Sequence, residues 1–156
     1  MLGLKFARLI EIHSDSLADS LLHELKTNDR TPSLRAITGD ELRADIHELY
    51  FHLTEWLVTK TEGDIEKRQA RLGSYRASQR IPIQEFLWAL TLSKRNIFEF
   101  LRREVPAEGP YELMFEMEFI QSLDEFFDRA TYFAVTGYLR HRAKEFAKTT
   151  PQHTHA

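Results

Sequence analysis

The stretch PYELMFEMEFIQSLDEFFDRATYFAVTGYLRHRAKEFAK, residues 110–148, decides the fold of this chain. After Pro110 it holds no proline, and its one glycine is Gly137. A single helix of that length runs roughly 58 Å at ~1.5 Å per residue. Phe119, Phe126 and Phe133 recur every seven residues, shadowed by Ile120, Phe127 and Ala134 and by Leu123, Ala130 and Gly137. Glu112 and Glu116 sit early, while Arg140, Arg142, Lys144 and Lys148 sit late, an order that suits the helix dipole.

Turning each residue by ~100° gives this helix an apolar arc near ~200°, wider than the stripe a helix needs to face one core. Two arrangements account for the width. The helix packs inward on its own domain and sideways on a second copy, or it is a central helix wrapped by its own chain. The first is the working expectation, with Phe119, Leu123, Phe126, Ala130, Phe133 and Gly137 as the dimer interface. The taper Leu123, Ala130, Gly137 would let a neighbouring helix come closer toward the C-terminal end, because interaxial distance follows the side chains at the contact.

Upstream, the spacing predicts more helices. Leu2, Phe6, Leu9, Ile10, Ile12, Leu17, Leu21, Leu22 and Leu25 have helical spacing, with residues 13–16 as a candidate interruption that could cap a second segment. Residues 27–32, TNDRTP, form a break. Thr38 and Glu41 have capping-box spacing and open a helix to about Lys60. A charged helix follows from Asp64 to about Gln79, then one from Ile81-Pro82-Ile83 to about Glu104. No alternating strand pattern interrupts them. The class is all-α with five or six helices, one helical domain over residues 1–148 and a flexible tail at 149–156.

Composition narrows the function. A content of 42% apolar and 29% charged residues is ordinary for a soluble domain. A net charge of −3 gives no reason to expect nucleic acid. With no cysteine, thiolate chemistry and disulfides are excluded and a reducing cytoplasm is compatible. The N-terminus meets a charge too early for a secretory signal, and the longest uncharged apolar run, 130–139, is about half a bilayer crossing. The expectation is a cytoplasmic protein with no membrane partner.

Candidate chemistry is sparse. Glu48, His52 and Glu55 share a helix face, but Glu41, Asp45 and Thr59 lie there too, which reads as a solvated face rather than a metal site. His47 falls beside Phe51, Thr54 and Val58 on a partly apolar side. His23 opens His23-Glu24-Leu25-Lys26-Thr27, superficially like the phosphoacceptor box of sensor histidine kinases. The proline of that box comes late, at Pro32, and no glycine-rich ATP segment exists. No Gly-x-Ser-x-Gly, Gly-x-x-x-x-Gly-Lys or Gly-x-Gly-x-x-Gly is present, so an enzyme is not expected. Arg68, Arg71, Arg76 and Arg80, and the bases at 140–144, read as solvated faces, with docking to an acidic partner as the sharper alternative.

The segment 72–103, beginning Leu-Gly-Ser-Tyr-Arg-Ala-Ser-Gln-Arg-Ile-Pro-Ile-Gln-Glu-Phe-Leu, resembles the N-terminal sensor domains of RsbR-type stressosome co-antagonist proteins. Those domains carry a His-Gly-x-x-Arg turn and then an acidic amphipathic helix. Gly73, Arg76, Ala77 and Ile83 fit, and Leu123-Asp124 with Ala130 to Tyr138 is similar to their closing helix. Leu72 stands where the family often has histidine, and Ala89 where it often has an acid. The resemblance implies a non-haem, globin-like bundle from a bacterial stress response, a homodimer that passes a signal along its last helix to a protein partner. No cofactor or metal is expected. The alternatives are a haem- or small-ligand-binding globin sensor and a simple dimeric adaptor. Residues 56–140 contain no histidine, so a haem ligand would have to come from His47 or His52.

Overall fold

Six α-helices and no strand make up the described residues, 2–104 and 109–149, of the computed structural model. They are α1 (Leu2–Ile12), α2 (Ser14–Thr27), α3 (Gly39–Thr59), α4 (Gly63–Ser78), α5 (Ile83–Glu104) and α6 (Pro110–Thr149), with a 3-10 turn at Pro32–Ala36 between α2 and α3. The all-α class and the long closing helix are as expected, and the arrangement is consistent with a globin-like bundle. The tail expected from 149 onward lies, beyond Thr149 itself, outside the described residues, as do His153 and His155.

Local chemistry explains the boundaries. The Thr38 hydroxyl accepts from the Glu41 N–H at 3.2 Å and starts α3. Lys60 ends α3 with φ 56° and Arg80 follows α4 with φ 61°, both in the left-handed region that glycine would occupy without strain. The turn at 32–36 is fixed from a distance: buried Glu85, in the first turn of α5, accepts from the Ser33 N–H at 2.7 Å and from its hydroxyl at 2.6 Å.

The core sits on α6. Phe119, Leu123, Phe126, Ala130 and Ala134 are almost wholly buried by the chain's own helices. Phe6 of α1 lies against Phe119, with ring centroids 4.1 Å apart, and the Trp56 indole of α3 donates to the Ser122 carbonyl at 3.2 Å. On α5, Lys94 pairs with Asp124. The central, wrapped arrangement therefore accounts for the width of the apolar arc.

Candidate functional site

α6 divides into two halves with different neighbours. Its first half runs against α5, where Phe98, Leu101 and Arg102 face Glu116, Phe119 and Ile120 across a cleft of about 310 Å³. Its second half runs beside α4 in the same direction, since Glu62 meets Arg129, Ala70 meets Gly137 and Ser74 meets His141 in step along both helices. Two glycines bring these backbones together. A Cβ on Gly73 would stand 2.8 Å from the Ala134 carbonyl carbon and 3.0 Å from the Tyr138 nitrogen. One on Gly137 would stand 2.6 Å from the carbonyl carbon of Ala70 and 2.7 Å from its Cα. The pattern Ala70-x-x-Gly73 is thus met by Ala134-x-x-Gly137, each glycine seated on the other helix's alanine. Beyond the crossing, the Tyr138 hydroxyl donates to the Ile81 carbonyl at 2.5 Å, tying α6 to the turn between α4 and α5.

These positions correct the interface assignment. Phe119, Leu123, Phe126, Ala130 and Gly137 are covered within their own chain, and Phe133 is half-buried against the same core. The taper toward Gly137 does admit a neighbour at close range, but that neighbour is α4. What α6 leaves in the open is a row one position earlier in the same seven-residue rhythm. Tyr132 is 67%, Leu139 53% and Phe146 73% exposed, with Met114 and Met117 exposed nearer its start.

The face of α3 read as solvated is also different. It packs on α4 through a polar seam: Glu41 accepts from Tyr75 at 2.6 Å, Asp45 pairs with Arg76, and Glu48 pairs with Arg68. Arg76 is only 4% exposed and also reaches Gln79 Oε1 at 2.7 Å. Burial pushes the Asp45 carboxyl above its usual range, against the opposing pull of Arg76. The Tyr75 phenol is raised, chiefly by its bond to Glu41. Desolvation lowers Lys60, whose ammonium lies 5.2 Å from the Trp56 ring centroid. A sequence signal for the seam existed in the acids at 41, 45 and 48, which mirror the donors at 75, 76 and 68.

The histidines do not converge. His47 opens on a cleft of about 300 Å³ with Ile10, Glu11, Ser14, Tyr50, Phe51 and Thr54, as its partly apolar side implied, and its Nε2 is 3.7 Å from Asp15 Oδ1. His52 is buried; its Nδ1 approaches Glu55 Oε2 at 3.3 Å, but neither ring nitrogen has an aligned hydrogen bond. Glu48, the third member of the considered metal set, is taken by Arg68. Among the described residues no three His, Asp or Glu side chains gather as metal ligands. Nor is any described helix long and apolar enough to cross a membrane.

A family model described as the RsbT co-antagonist protein rsbRD N-terminal domain matches residues 15–150. The chain belongs to this family. Membership makes it a stressosome-associated regulatory domain of a family that works with protein partners in a signalling complex and is not a known enzyme family. The match extends well beyond the C-terminal half that carried the resemblance, taking in α2 and α3, while α1 lies before it. Comparisons with curated proteins and with solved structures returned no match. Within the rsbRD-type domain, Leu72 and Ala89 line a pocket of about 50 Å³ together with residues that include Leu42, Ile46, Leu49, Phe86, Asp45 and Arg76.

Proposed function

We propose that the chain is a non-catalytic, dimeric sensory or regulatory domain in which α6 meets a second copy and passes a signal through helix packing to protein partners. The observation that carries this reading is the row Tyr132, Leu139 and Phe146. Large apolar side chains at a seven-residue period on an open helix face are the pattern of a helix-to-helix seam, and they are costly to leave in water. The row lies on the second half of α6, the half that rides on α4 through the Gly73–Gly137 crossing. A displacement of α4 therefore reaches the proposed seam directly.

The experiment is solution mass by light scattering for wild type and Leu139→Asp. Leu139 is exposed, so the substitution leaves the core intact, and a folded monomer is expected where wild type is a dimer. A wild-type monomer at micromolar concentration, or a dimer indifferent to Leu139→Asp, rejects the proposal. One observation favours a small-ligand reading beside it: a pocket of about 50 Å³ whose walls are mainly leucine, isoleucine and phenylalanine, with room for a small apolar atom such as xenon. Xenon-dependent chemical shifts confined to Leu42, Ile46, Leu72 and Ala89 would support that reading, and their absence would remove it.

A further inference from the structure

A second surface, where the loop after α2 meets α5, collects positive charge around one aromatic ring. Trp88 carries the Arg30 guanidinium 4.4 Å from its ring centroid and that of Arg95 6.0 Å away. Lys26 and Arg35 adjoin Arg30: the Lys26 ammonium donates to the Arg35 and Ile37 carbonyls, and Arg35 Nε donates to the Lys26 carbonyl at 3.0 Å. Arg35 also reaches the Asn28 carbonyl, in the loop that presents Arg30. Among the described residues none of these four cations forms an ion pair with a carboxylate, although Arg43, Arg68, Arg76 and Arg129 all do. The nearby acids go elsewhere or stand apart. Glu24 accepts from Asn28, while Asp29 and Glu99 pair with none of the four. The Trp88 indole N–H is itself buried without an acceptor.

Part of this arrangement explains itself. Cations at the C-terminal end of α2 are favoured by its dipole, and stacking on an indole adds a weak attraction at an exposed site. Neither effect neutralises charge. Arg30 and Arg95 flank the indole, Lys26 and Arg35 beside them bond only to backbone carbonyls, and among the described residues no carboxylate offsets the four charges, on a chain whose net charge is −3. What the surface lacks is an acceptor-rich anion, and planar guanidinia that can grip a carboxylate in a fork are its most exposed members.

We propose that Arg30 and Arg95 over Trp88, with Lys26 and Arg35 beside the loop that carries Arg30, form a docking surface for an acidic segment of a protein partner. The surface is distinct from the α6 row and stands or falls separately from the dimer. A protein segment is favoured over a polyphosphate track because the patch centres on one ring flanked by two guanidinia, and among the described residues no second aromatic side chain stacks beside Trp88.

The test titrates the full chain, labelled with ¹⁵N, with a short peptide of alternating glutamate and serine at low salt. The readout is the indole N–H signal of Trp88, told from that of Trp56 by Trp88→Phe. A saturable shift is expected, weakening with added salt. Arg30→Gln/Arg95→Gln should raise the Kd about tenfold or more. Arg102→Gln/Arg103→Gln, which removes the same charge from exposed positions at the other end of α5, should leave it within about twofold. No saturable shift, or equal weakening in both double variants, overturns the proposal. So does tighter binding of a polythymidine oligonucleotide, or of phosphatidylglycerol vesicles, at matched charge concentration.

Discussion

Replacing Gly73 or Gly137 by alanine sets two effects of known size against each other. Alanine is favoured over glycine inside a helix by ~0.8–1 kcal/mol, so a crossing with room for a methyl group would be stabilised. The crossing has no such room. The new Cβ atoms would lie 2.8 Å from the Ala134 carbonyl carbon and 2.6 Å from that of Ala70, and both obstacles are backbone. Restoring the ~3.5 Å of an ordinary carbon contact parts α4 and α6 by close to 1 Å, a gap that forfeits a quarter to a half of each pair's dispersion energy along the contact. Overpacking costs ~1–3 kcal/mol, and a backbone obstacle places these sites at the upper end. Each variant should therefore lose about 2 kcal/mol net, or ~4–8 °C in Tm. Urea unfolding followed by far-UV circular dichroism measures it. Gly39→Ala is the control, since its Cβ would meet only Leu22 Cδ2 at 4.0 Å; its stability should change by no more than ~0.5 kcal/mol. The double variant sharpens the test. Once one methyl group has parted the helices, the second enters space already opened, so the double loss should fall well short of the sum of the singles. A stability equal to or above wild type in either single variant refutes the close crossing, and strict additivity refutes the shared separation.

The seam and the cap of α4 carry three further outcomes. Arg76→Met should cost ~1–3 kcal/mol, because it strands the partly buried Asp45 carboxylate, whereas Arg76→Met/Asp45→Leu should return close to wild-type stability. The folded Asp45 carboxyl holds its proton to higher pH than the unfolded one, so its contribution to stability is full below 3.8 and falls as pH rises through the raised value. Wild type measured against Asp45→Asn should therefore lose ground with rising pH across that window; an opposite slope in chemical denaturation contradicts the burial. At the end of α4, Arg80→Gly relieves a left-handed residue and should add about 1 kcal/mol, while Arg80→Ala adds nothing, a contrast that differential scanning calorimetry resolves.

The helices were legible because their punctuation is local. Thr38 with Glu41, Pro82 and the charge order of the last helix each act within a turn or two of the residue that carries the signal. Neighbours were not legible in the same way. Periodicity places Gly137 on an apolar face and the taper implies a close approach, but a face does not name what covers it, and a helix of the same chain satisfies the pattern as well as a second chain does. The phenylalanine rhythm at 119, 126 and 133 is the stronger apolar signal, while the exposed row at 132, 139 and 146 has the same period and less apolar company. Arg76 was misplaced because arginine is rarely buried unless paired, and its pair, Asp45, stands 31 positions away.

The Tyr138 hydroxyl has a consequence for how α6 can move. It reaches the Ile81 carbonyl at 2.5 Å from a residue on the shaft of α6. A slip of α6 along its axis by a single residue is ~1.5 Å, enough to carry the oxygens to the edge of hydrogen-bonding range or past it and to leave two buried polar atoms unsatisfied. Rolling the shaft by ~10° swings the phenol oxygen sideways by a similar distance, because it stands several ångströms off the helix axis. The phenol therefore acts as a latch: while its bond to Ile81 is made, the second half of α6 holds one register against the α4–α5 turn, and any stroke that turns Tyr132 and Leu139 must first release it.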